Sequence, residues 1–463
     1  MNEIRISQNT WEKVCAHLFE TSGEHFVFLL AEVANIGKGI TLLVNDVILI
    51  PSEDTEAVGF ALQIKLDALL KVTNTALKRK MALIEVHNHS SGFGSVDFSG
   101  TDRKGFKEFV PYVLDVIPGK PYAAIVVTDE PSVEGLIWKN QDKPESISYI
   151  RIIGKNFRKL VTTSGKRLYK NEVDEKTFAR QILAFGKPGQ KKIHSVKVAI
   201  VGTGGIGSYV AQELAYKGVR DFVLVDPDLV EETNLNRLVG ATPNDIGKPK
   251  VNVIERMITS ITGNKAKVTS LQKNLRNTEV FNILKQADII FGCVDNDGAR
   301  LILTQLASSY LIHYIDCGTG INISNEIIEE AGGRVMVSQP NGPCMTCANM
   351  IDLKEVLDNL SSKEEYENRK KMGYVRGANI PDASVISLNG VIASLAVVEF
   401  MVLVTGMREA RILTMYDMLA GREPAIVPCH VNVNENCLHH SFIGIGDKIE
   451  LTRYLKEEGT LQI

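Results

Sequence analysis

This chain of 463 residues contains few cysteines and has a small net charge. Seven cysteines are too few for a disulfide scaffold, so we interpret them as reduced thiols and any cluster of them as a candidate metal site. A net charge of −3 without a long basic run disfavours nucleic acid and anionic membranes as partners. The N-terminus lacks the segments of a signal peptide, and no run of about 18 apolar residues predicts a membrane span. We therefore expect a cytoplasmic protein.

The chain length predicts two or three domains, because one hydrophobic core rarely serves so many residues. In the first 165 residues, short apolar runs alternate with amphipathic ones, which indicates a mixed α/β domain. The predicted elements are strands at 26–33, 40–50, 81–89 and 123–129, a helix within 54–80, a loop over 139–149 and a last strand within 148–160. Residues 166–178 are charged and predict a linker.

A second pattern begins near residue 179, where short apolar runs recur with helical stretches between them. The predicted strands are 196–202, 221–226, 267–272, 287–295 and 313–318. Such alternation is typical of a doubly wound parallel sheet. The highly charged residues 351–371 predict an exposed helix or a mobile crossover segment.

A glycine-rich turn joins the first strand of this second pattern to a helix. It reads Gly202-Thr-Gly204-Gly205-Ile-Gly207, and the next strand ends in Asp226. Glycines allow a tight turn and close backbone approach, the helix N-terminus attracts phosphate, and a carboxylate at that distance suits ribose hydroxyls. These features alone fit a Rossmann dehydrogenase equally well.

The motifs after Asp226 do not fit a dehydrogenase. They are Asp226-Pro-Asp228, Asn234-Leu-Asn236-Arg237, Gly247-Lys-Pro-Lys250, and Cys293-Val-Asp295-Asn296 with Arg300. In this order, over roughly residues 177–440, they resemble the ThiF-type adenylyltransferases, the family that activates ubiquitin, molybdopterin synthase and the thiamine sulfur carrier. The nucleotide site that the resemblance implies consists of Gly202, Gly204, Gly205, Gly207, Asp226, Asp228, Asn234, Arg237, Lys250, Asp295 and Asn296.

Each motif has an implied role in binding ATP and Mg²⁺. The resemblance assigns Asp226 to the ribose, Asn234 and Arg237 to phosphates, Lys250 to the α- and β-phosphates and Asp295 to Mg²⁺. A substrate carboxylate attacks the α-phosphorus directly, so catalysis consists of positioning and cationic stabilisation. Singly, an Arg or Lys is more often a solvated surface charge.

The segment Phe178-Ala-Arg180-Gln181 resembles the one whose arginine reaches the γ-phosphate across a dimer interface. The resemblance therefore implies a homodimer formed through the adenylation domain, with Arg180 as a catalytic residue of the partner's site.

Two short motifs have metal-ligand spacing, Cys344-Met-Thr-Cys347 and Cys437-Leu-His-His440. Zinc accepts four such sulfur and nitrogen ligands in a closed structural site. His439 or Cys429 are alternative ligands, and two unrelated groups of reduced thiols are the other interpretation.

Family members that pass the activated carboxylate to a thiol use a cysteine in the crossover segment. Residues 348–428 contain no cysteine, although 374–400 resemble the stretch that normally follows it. We therefore expect the chain to stop at the acyl-adenylate or to transfer it to a separate protein. Cys293 and Cys317 lie at strand ends near the nucleotide and are expected to pack there.

The N-terminal half contains a second candidate site. His87 and His89 end a predicted strand, and Asp102 follows in Ser99-Gly-Thr-Asp102. Two histidines and a carboxylate form an open three-ligand zinc site. Glu24 is the candidate base for the attacking water, and the Ser99 hydroxyl is a candidate stabiliser of the oxyanion.

This pattern resembles the JAMM (JAB/MPN) metalloproteases, many of which cleave after the C-terminal glycine of ubiquitin-like proteins. It departs from them in two ways, since nine residues separate His89 from Ser99 instead of seven and Ser90 replaces the usual proline. Asp97 is therefore a rival of Asp102 as the third ligand, and an inactive JAMM fold that only binds the modifier is the alternative.

Together the patterns predict a two-part α/β protein. Residues 1–165 are expected to form a mixed-sheet JAB/MPN domain of cytidine-deaminase-like fold, 166–190 a linker and first helix, and 191–463 a doubly wound, Rossmann-like ThiF domain. The expected function is adenylation of the C-terminal glycine of a ubiquitin-like protein and zinc-dependent cleavage of its precursors or conjugates. The alternative is sulfur-carrier activation for cofactor synthesis. ATP, Mg²⁺ and Zn²⁺ are the expected cofactors, and a conjugating enzyme is a possible further partner.

Overall fold

The computed structural model describes residues 1–58, 61–89, 96–129, 132–166, 172–361, 364–366, 383–419 and 424–449. These residues form two compact units. The N-terminal unit contains Met1–Lys170 and the short segments Ser309–Leu311 and Ile443–Ile449, and the C-terminal unit contains Asn171–Ser308 and Ile312–Phe442.

The N-terminal unit is built on a mixed eight-stranded sheet with the order β1-β3-β2-β6-β7-β8-β9-β10. Strand β1 also pairs with β9, which closes the sheet on itself. The elements are β1 (Asn2–Ser7), α1 (Gln8–Leu18), β2 (Phe26–Ile36), β3 (Gly39–Leu49), β4 (Thr55–Val58), β5 (Ala61–Ile64), α2 (Leu66–Arg79), β6 (Ala82–Asn88), α3 (Gly100–Val116), β7 (Tyr122–Val127), β8 (Val133–Trp138), β9 (Glu145–Ile153), β10 (Phe157–Val161) and α4 (Thr163–Lys166).

Both faces of this sheet are buried, because alternate residues of each strand enter different cores. On β2, Val27 and Leu29 join the core that contains Trp11 of α1, whereas Phe28 and Leu30 join the core that contains Phe106 of α3. Helix α3 therefore covers the face on which the odd-numbered residues of β6 lie.

Three predictions for this half need correction. The expected helix within 54–80 is a β4–β5 hairpin followed by α2, since β4 and β5 pair antiparallel and Lys65 is extended. Gly59, a poor helix former, interrupts the helical pattern there. The predicted loop over 139–149 already contains the start of β9, and the single last strand is two, β9 and β10. Strands β1 and β8 and helices α1, α3 and α4 were not predicted.

The C-terminal unit also has an eight-stranded sheet, in the order β13-β12-β11-β14-β15-β16-β17-β18. Strands β11 to β15 pair in parallel, and β15 to β18 pair antiparallel. The elements are α5 (Ala179–Ser195), β11 (Lys197–Val201), α6 (Gly205–Lys217), β12 (Asp221–Val225), α7 (Lys250–Thr262), β13 (Lys267–Leu271), α8 (Thr278–Leu284), β14 (Ile289–Gly292), α9 (Asp297–Ser309), β15 (His313–Ser324), β16 (Ile327–Ser338), α10 (Leu353–Leu360), α11 (Ile386–Thr405), β17 (Leu413–Asp417) and β18 (Ala425–Cys429).

The predicted doubly wound parallel sheet is thus present, with an antiparallel extension that the sequence patterns did not predict. The strand order reverses between β11 and β14. In open α/β sheets, the carboxyl ends of the strands at such a reversal form the usual ligand crevice.

One helix corrects the expectation about membrane spans. In the part of the chain that the structure describes, α11 alone is long and apolar enough to cross a membrane by length and composition. Just over half of its apolar window is buried, and it packs against α5, α6, β15 and β16. Because a core helix passes the same test, its composition is weak evidence for a span.

Among the described residues of the charged segment 351–371, only part is helical. Helix α10 occupies Leu353–Leu360 and buries Val356, so it is not a fully exposed helix. Residues 362–363 and 367–371 of this segment, and all of 374–382, lie outside the described residues.

Candidate functional site

A cavity of about 580 Å³ opens at the carboxyl ends of β11, β12 and β14. It lies within the C-terminal unit. The predicted nucleotide-site residues that line it are Gly202, Gly204, Gly205, Asp226, Asp228, Asn234, Arg237, Lys250, Asp295 and Asn296. They meet because motifs that follow neighbouring parallel strands emerge at one edge of the sheet.

The glycines of this loop are needed because backbone atoms approach them too closely for a side chain. Gly202 has a φ of 86°, and a Cβ there would collide with the backbone carbonyl of Cys293. Gly207 does not line the cavity, but a Cβ on it would collide with the carbonyl oxygen of Gly202. Gly207 therefore allows helix α6 to begin directly beneath the loop.

Asp226 closes the loop from the neighbouring strand. Its Oδ2 accepts hydrogen bonds from the Thr203 backbone N–H at 2.6 Å and from the Thr203 hydroxyl at 3.1 Å. Its Oδ1 accepts one from the Asp228 N–H at 2.9 Å, and burial raises the pKa of the carboxyl. Asp226 thus shapes the loop, and the more exposed Asp228 presents a second carboxylate to the cavity.

The cationic side of the cavity comes from two segments. Lys250 begins helix α7, and its Nζ lies 2.8 Å from Asp228 Oδ2. Arg237 follows the short 3₁₀ turn Glu232–Asn234, and its guanidinium donates to the Thr233 carbonyl at 2.5 Å. Both cations are therefore held at the wall by oxygens that a phosphate can replace.

Asp295 is exposed at the end of the segment that follows β14, where its Oδ1 accepts from the Asn296 amide at 3.2 Å. Beyond it, Arg300 lines the cavity but is paired with Asp297 at 2.7 Å and with the buried Asp316 at 3.5 Å. The carboxylate of Asp295 is thus available to a cation in the cavity, whereas Arg300 is largely neutralised by its own neighbours.

Sequence reasoning missed Asn389 near the start of α11, which also lines the cavity. The side chain is buried, donates to the Ser384 hydroxyl at 3.1 Å and accepts from the Thr319 hydroxyl at 3.2 Å. Its amide nitrogen occupies the space that a Cβ on Gly205 would need. An amide in a largely apolar helical segment was the signal that could have revealed it.

The four predicted zinc ligands of the C-terminal unit, Cys344, Cys347, Cys437 and His440, form one cluster, with all ligand atoms within 4.8 Å of one another. Cys344 Sγ lies 3.5 Å from Cys437 Sγ, and Cys347 Sγ lies 3.5 Å from His440 Nε2. The Asn434 backbone N–H also points to Cys347 Sγ at 3.5 Å. Three sulfurs and one imidazole in this arrangement suit a tetrahedral zinc ion.

The two alternative ligands lie outside this cluster of four. His439 is buried, and burial lowers its pKa to about 4. Its Nδ1 lies 3.7 Å from Cys437 Sγ, and its Nε2 faces the Gln305 side chain at 3.5 Å. Cys429 is on β18, where its thiol points to the Val427 carbonyl at 3.7 Å.

The N-terminal unit brings His87, His89 and Asp102 together, with one ligand atom of each within 4.8 Å of the others. Asp102 Oδ2 lies 3.6 Å from His87 Nε2 and 3.4 Å from His89 Nε2. Both ring nitrogens of the buried His87 lack a hydrogen-bond partner by strict geometry among the residues that the structure describes. Buried nitrogens without such partners facing a carboxylate fit a metal ligand.

The start of helix α3 decides which aspartate joins the histidines. Ser99 is the N-cap, and its hydroxyl and backbone N–H exchange hydrogen bonds with Asp102 in a capping box. Asp97 pairs with Arg103 at 2.8 Å on the exposed surface. Asp102 is therefore the carboxylate of the cluster. Residues 90–95, which lie within the longer spacing between His89 and Ser99, are outside the described residues.

Glu24 is placed beside the cluster by Asn88, the residue between the two histidines. The Asn88 amide accepts from the His25 N–H at 2.6 Å and donates to the Gly23 carbonyl at 2.8 Å, so it holds the backbone on both sides of Glu24. Glu24 Oε1 then lies 3.8 Å from His89 Nε2. The Ser99 hydroxyl, predicted to stabilise an oxyanion, is exposed and caps α3.

A second carboxylate contacts His87 from the opposite side. Glu85 Oε1 lies 3.4 Å from His87 Nδ1, and Glu85 Oε2 accepts from the Tyr122 hydroxyl at 2.6 Å. Burial alone would lower the pKa of His87, but the nearby carboxylates of Asp102 and Glu85 outweigh it and raise that pKa to about 9. The cluster is therefore a locally negative environment that favours a cation.

The part of the chain that forms the cavity matches a known protein family. The ThiF family model matches residues 178–438, which is more than half of the chain. The chain belongs to the ThiF family. The matched region contains the cavity and most of the cysteine cluster, whereas the His87 cluster lies before it.

Curated relatives match parts of this ThiF region. The SAMP-activating enzyme E1 of Haloferax volcanii is 28% identical over 162 residues, which are 35% of this chain and 56% of that protein. The sulfur carrier protein ThiS adenylyltransferase of Escherichia coli K12 is 34% identical over 132 residues, 28% of this chain and 52% of that protein. The alignments thus span about half the length of these relatives. A solved structure of E. coli MccB with ATP is 22% identical, with a TM-score of 0.46 over 58% of this chain and 75% of MccB.

Arg180, like Gly207, is a predicted ThiF residue that does not line the cavity. It is exposed in the first turn of α5 and does not line the cavity of its own chain. Its expected contact with the γ-phosphate requires a second copy, so this role stays a prediction.

Proposed function

We propose that the ThiF domain adenylates the C-terminal carboxylate of a small ubiquitin-like or sulfur-carrier-like protein with ATP and Mg²⁺. A carboxylate oxygen forms a bond to the α-phosphorus, the bond to the bridging oxygen breaks, and pyrophosphate leaves. The observation that carries this proposal is the convergence of a glycine loop, two cations and an exposed carboxylate in one cavity at the strand reversal.

The residues divide the work by charge. Backbone N–H groups at the start of α6 approach the phosphates, while Arg237 and Lys250 offset the negative charge that develops on pyrophosphate. Asp295 suits Mg²⁺, which prefers carboxylate oxygens and bound phosphates. Asp226 and Asp228 are the carboxylates for the ribose hydroxyls. No protein nucleophile is needed for this step.

The substrate class is supported by what the relatives are called. One activates SAMP proteins and the other adenylates the sulfur carrier ThiS, both by name. A ubiquitin-like modifier is our first candidate and a sulfur carrier for cofactor synthesis the second. Because residues 348–428 contain no cysteine, we propose that any thioester forms on a separate protein, such as a conjugating enzyme.

The test is exchange of pyrophosphate into ATP driven by a candidate modifier. Asp295→Ala should abolish exchange, while Asp417→Ala, which changes an exposed carboxylate on β17 outside the cavity, should leave it unchanged. Exchange that persists in Asp295→Ala would refute the proposed site. A modifier truncated by its terminal glycine should not support exchange in any variant.

We also propose that the N-terminal unit is a JAMM-type zinc hydrolase for peptide or isopeptide bonds after a ubiquitin-like protein. His87, His89 and Asp102 would hold zinc, which polarises the scissile carbonyl and lowers the pKa of water. The supporting observation is the approach of these three side chains with Glu24 beside them.

Glu24 takes the proton as the water oxygen bonds to the carbonyl carbon, and returns it to the leaving nitrogen when the carbon–nitrogen bond breaks. Ser99 keeps Asp102 oriented through the capping box. Its hydroxyl is our candidate hydrogen-bond donor to the oxyanion that forms on the scissile carbonyl. The competing hypothesis is a binding module without hydrolytic activity.

Zinc analysis and one isosteric variant separate these hypotheses. Glu24→Gln should retain zinc and lose cleavage of a fusion that extends the modifier past its glycine. Equal cleavage by the wild type and Glu24→Gln would refute the proposed hydrolase mechanism. A wild type that binds zinc but cleaves nothing would favour the binding module.

The remaining expectations extend the same proposal. We propose a structural zinc ion held by Cys344, Cys347, Cys437 and His440, a homodimer in which Arg180 serves the partner's nucleotide site, and a cytoplasmic location, which keeps these thiols reduced.

A further inference from the structure

We propose that Glu85 is a positioning residue of the N-terminal zinc site, and that Tyr122 holds its carboxylate against His87. The proposal rests on the zinc hydrolase proposed above and adds the residues that orient one of its ligands. Glu85 and Tyr122 are distinct from the three proposed ligands and from Glu24 and Ser99, which have other proposed roles in the reaction.

The placement of Glu85 follows from strand geometry. Glu85 and His87 are two residues apart on β6, so both side chains lie on the face covered by α3. Glu85 Oε1 is 3.4 Å from His87 Nδ1, while His87 Nε2 faces Asp102. The two nitrogens of one ring are thus divided between a supporting carboxylate and the metal-binding side.

Tyr122 removes the freedom of that carboxylate. It is fully buried on β7, which pairs in parallel with β6, and its hydroxyl donates to Glu85 Oε2 at 2.6 Å. A Tyr hydroxyl is a neutral donor, so it orders Glu85 without cancelling its negative charge as Arg or Lys would. The side chain of Glu85 is itself only 13% exposed.

The chemical consequence concerns the tautomer and basicity of His87. A carboxylate that accepts the Nδ1 proton leaves the Nε2 lone pair free for a metal and strengthens it as a ligand. Without that partner, a buried neutral ring is free to carry its proton on either nitrogen. The tautomer with the proton on Nε2 has no lone pair there and does not bind the metal through that atom. Loss of such a partner typically lowers metal affinity about 10- to 100-fold.

The experiment measures zinc affinity of the full chain by competition with a chelator. We compare the wild type with Glu85→Gln, Glu85→Ala, Tyr122→Phe and the double variant Glu85→Ala/Tyr122→Phe. Glu108→Gln, on the exposed side of α3, is the matched control. Cobalt substitution distinguishes this site from the cysteine cluster, because only thiolate ligands give sulfur-to-cobalt charge-transfer bands.

We expect Glu85→Gln and Glu85→Ala to weaken zinc binding about 10-fold or more. Tyr122→Phe should have a smaller effect, and the double variant should be no weaker than Glu85→Ala, because Tyr122 acts through Glu85. If Tyr122→Phe acted only by a general loss of packing, it would lower the thermal midpoint by the same amount whether or not Glu85 is present.

His87→Ala separates the two ways of failing. If His87→Ala retains all its zinc, the proposed zinc site itself is wrong. If His87→Ala loses one zinc ion per chain while folded Glu85→Gln and Glu85→Ala bind zinc as tightly as the wild type, the site stands and the role of Glu85 is overturned.

Discussion

Lys250 Nζ lies 2.8 Å from Asp228 Oδ2, and both residues line the cavity at the carboxyl edge of the C-terminal sheet. The carboxylate of Asp228 is 60% exposed, whereas the lysine is 13% exposed. Because the carboxylate is exposed to solvent, the ion pair is partly screened, and replacing this carboxylate by a phosphate would cost little. The pair therefore holds the cation at the wall of the cavity, where the proposed adenylation needs it.

Lys250→Ala should lower pyrophosphate exchange by about 100-fold, because it removes one cationic donor from the developing charge on the phosphates. The matched control is Lys248→Ala, two residues earlier, which pairs with Asp245 and does not line the cavity. Equal exchange rates in the two variants would remove Lys250 from the mechanism.

Asn88→Ala should uncouple Glu24 from the histidines. The variant loses the two hydrogen bonds that hold Gly23 and His25, so cleavage should fall at least about tenfold while zinc content is unchanged. Asn35→Ala, at an exposed position of β2, should leave cleavage unaffected. Loss of zinc together with activity would instead indicate that Asn88 maintains the ligands.

Cys344→Ser should remove one zinc ion per chain and lower the thermal midpoint by several degrees, since binding of a structural zinc contributes directly to folding. Cys429→Ser changes another cysteine of the same unit, outside the cluster, and should keep the full zinc content. Zinc loss in Cys429→Ser would instead make it a ligand.

Acid should destabilise the N-terminal unit through Glu3. Burial alone would raise its pKa, but Arg151 and Arg5 outweigh burial and hold the pKa at about 2, below the ordinary 4.5. The folded state therefore binds fewer protons than the unfolded state in this interval. The contribution of Glu3 is complete above about pH 4.5 and is lost as the pH falls towards 2, on the order of 3 kcal/mol in total.

The two tryptophans of the sequence, Trp11 and Trp138, are both buried in this unit, so their fluorescence reports its unfolding. Denaturant titrations from pH 6 down to about pH 3 should show the free energy of unfolding falling with pH. The depressed pKa of Asp102 adds to the slope in the same direction. A flat profile would contradict the assignment for Glu3.

Sequence reasoning succeeded where a pattern and its neighbours agree. The buried strands β11, β12 and β14 are short and apolar because helices cover both faces of a parallel sheet. Strands β11 and β12 were predicted to within one residue at each end, whereas the predicted strand 287–295 extends beyond both ends of β14. The strands β16 to β18 were missed because they carry exposed residues, and their pairing depends on partners distant in the chain.

The sequence by itself determined the metal and nucleotide motifs, because the backbone geometry of a strand end or helix start places neighbouring residues predictably. Only the tertiary structure places Asp102 rather than Asp97 beside His87 and His89, and His440 rather than His439 in the cysteine cluster. Glu85 meets Tyr122 because β6 and β7 pair in parallel, and such pairing follows from packing of the whole sheet. Spacing along the chain contains no information about that contact.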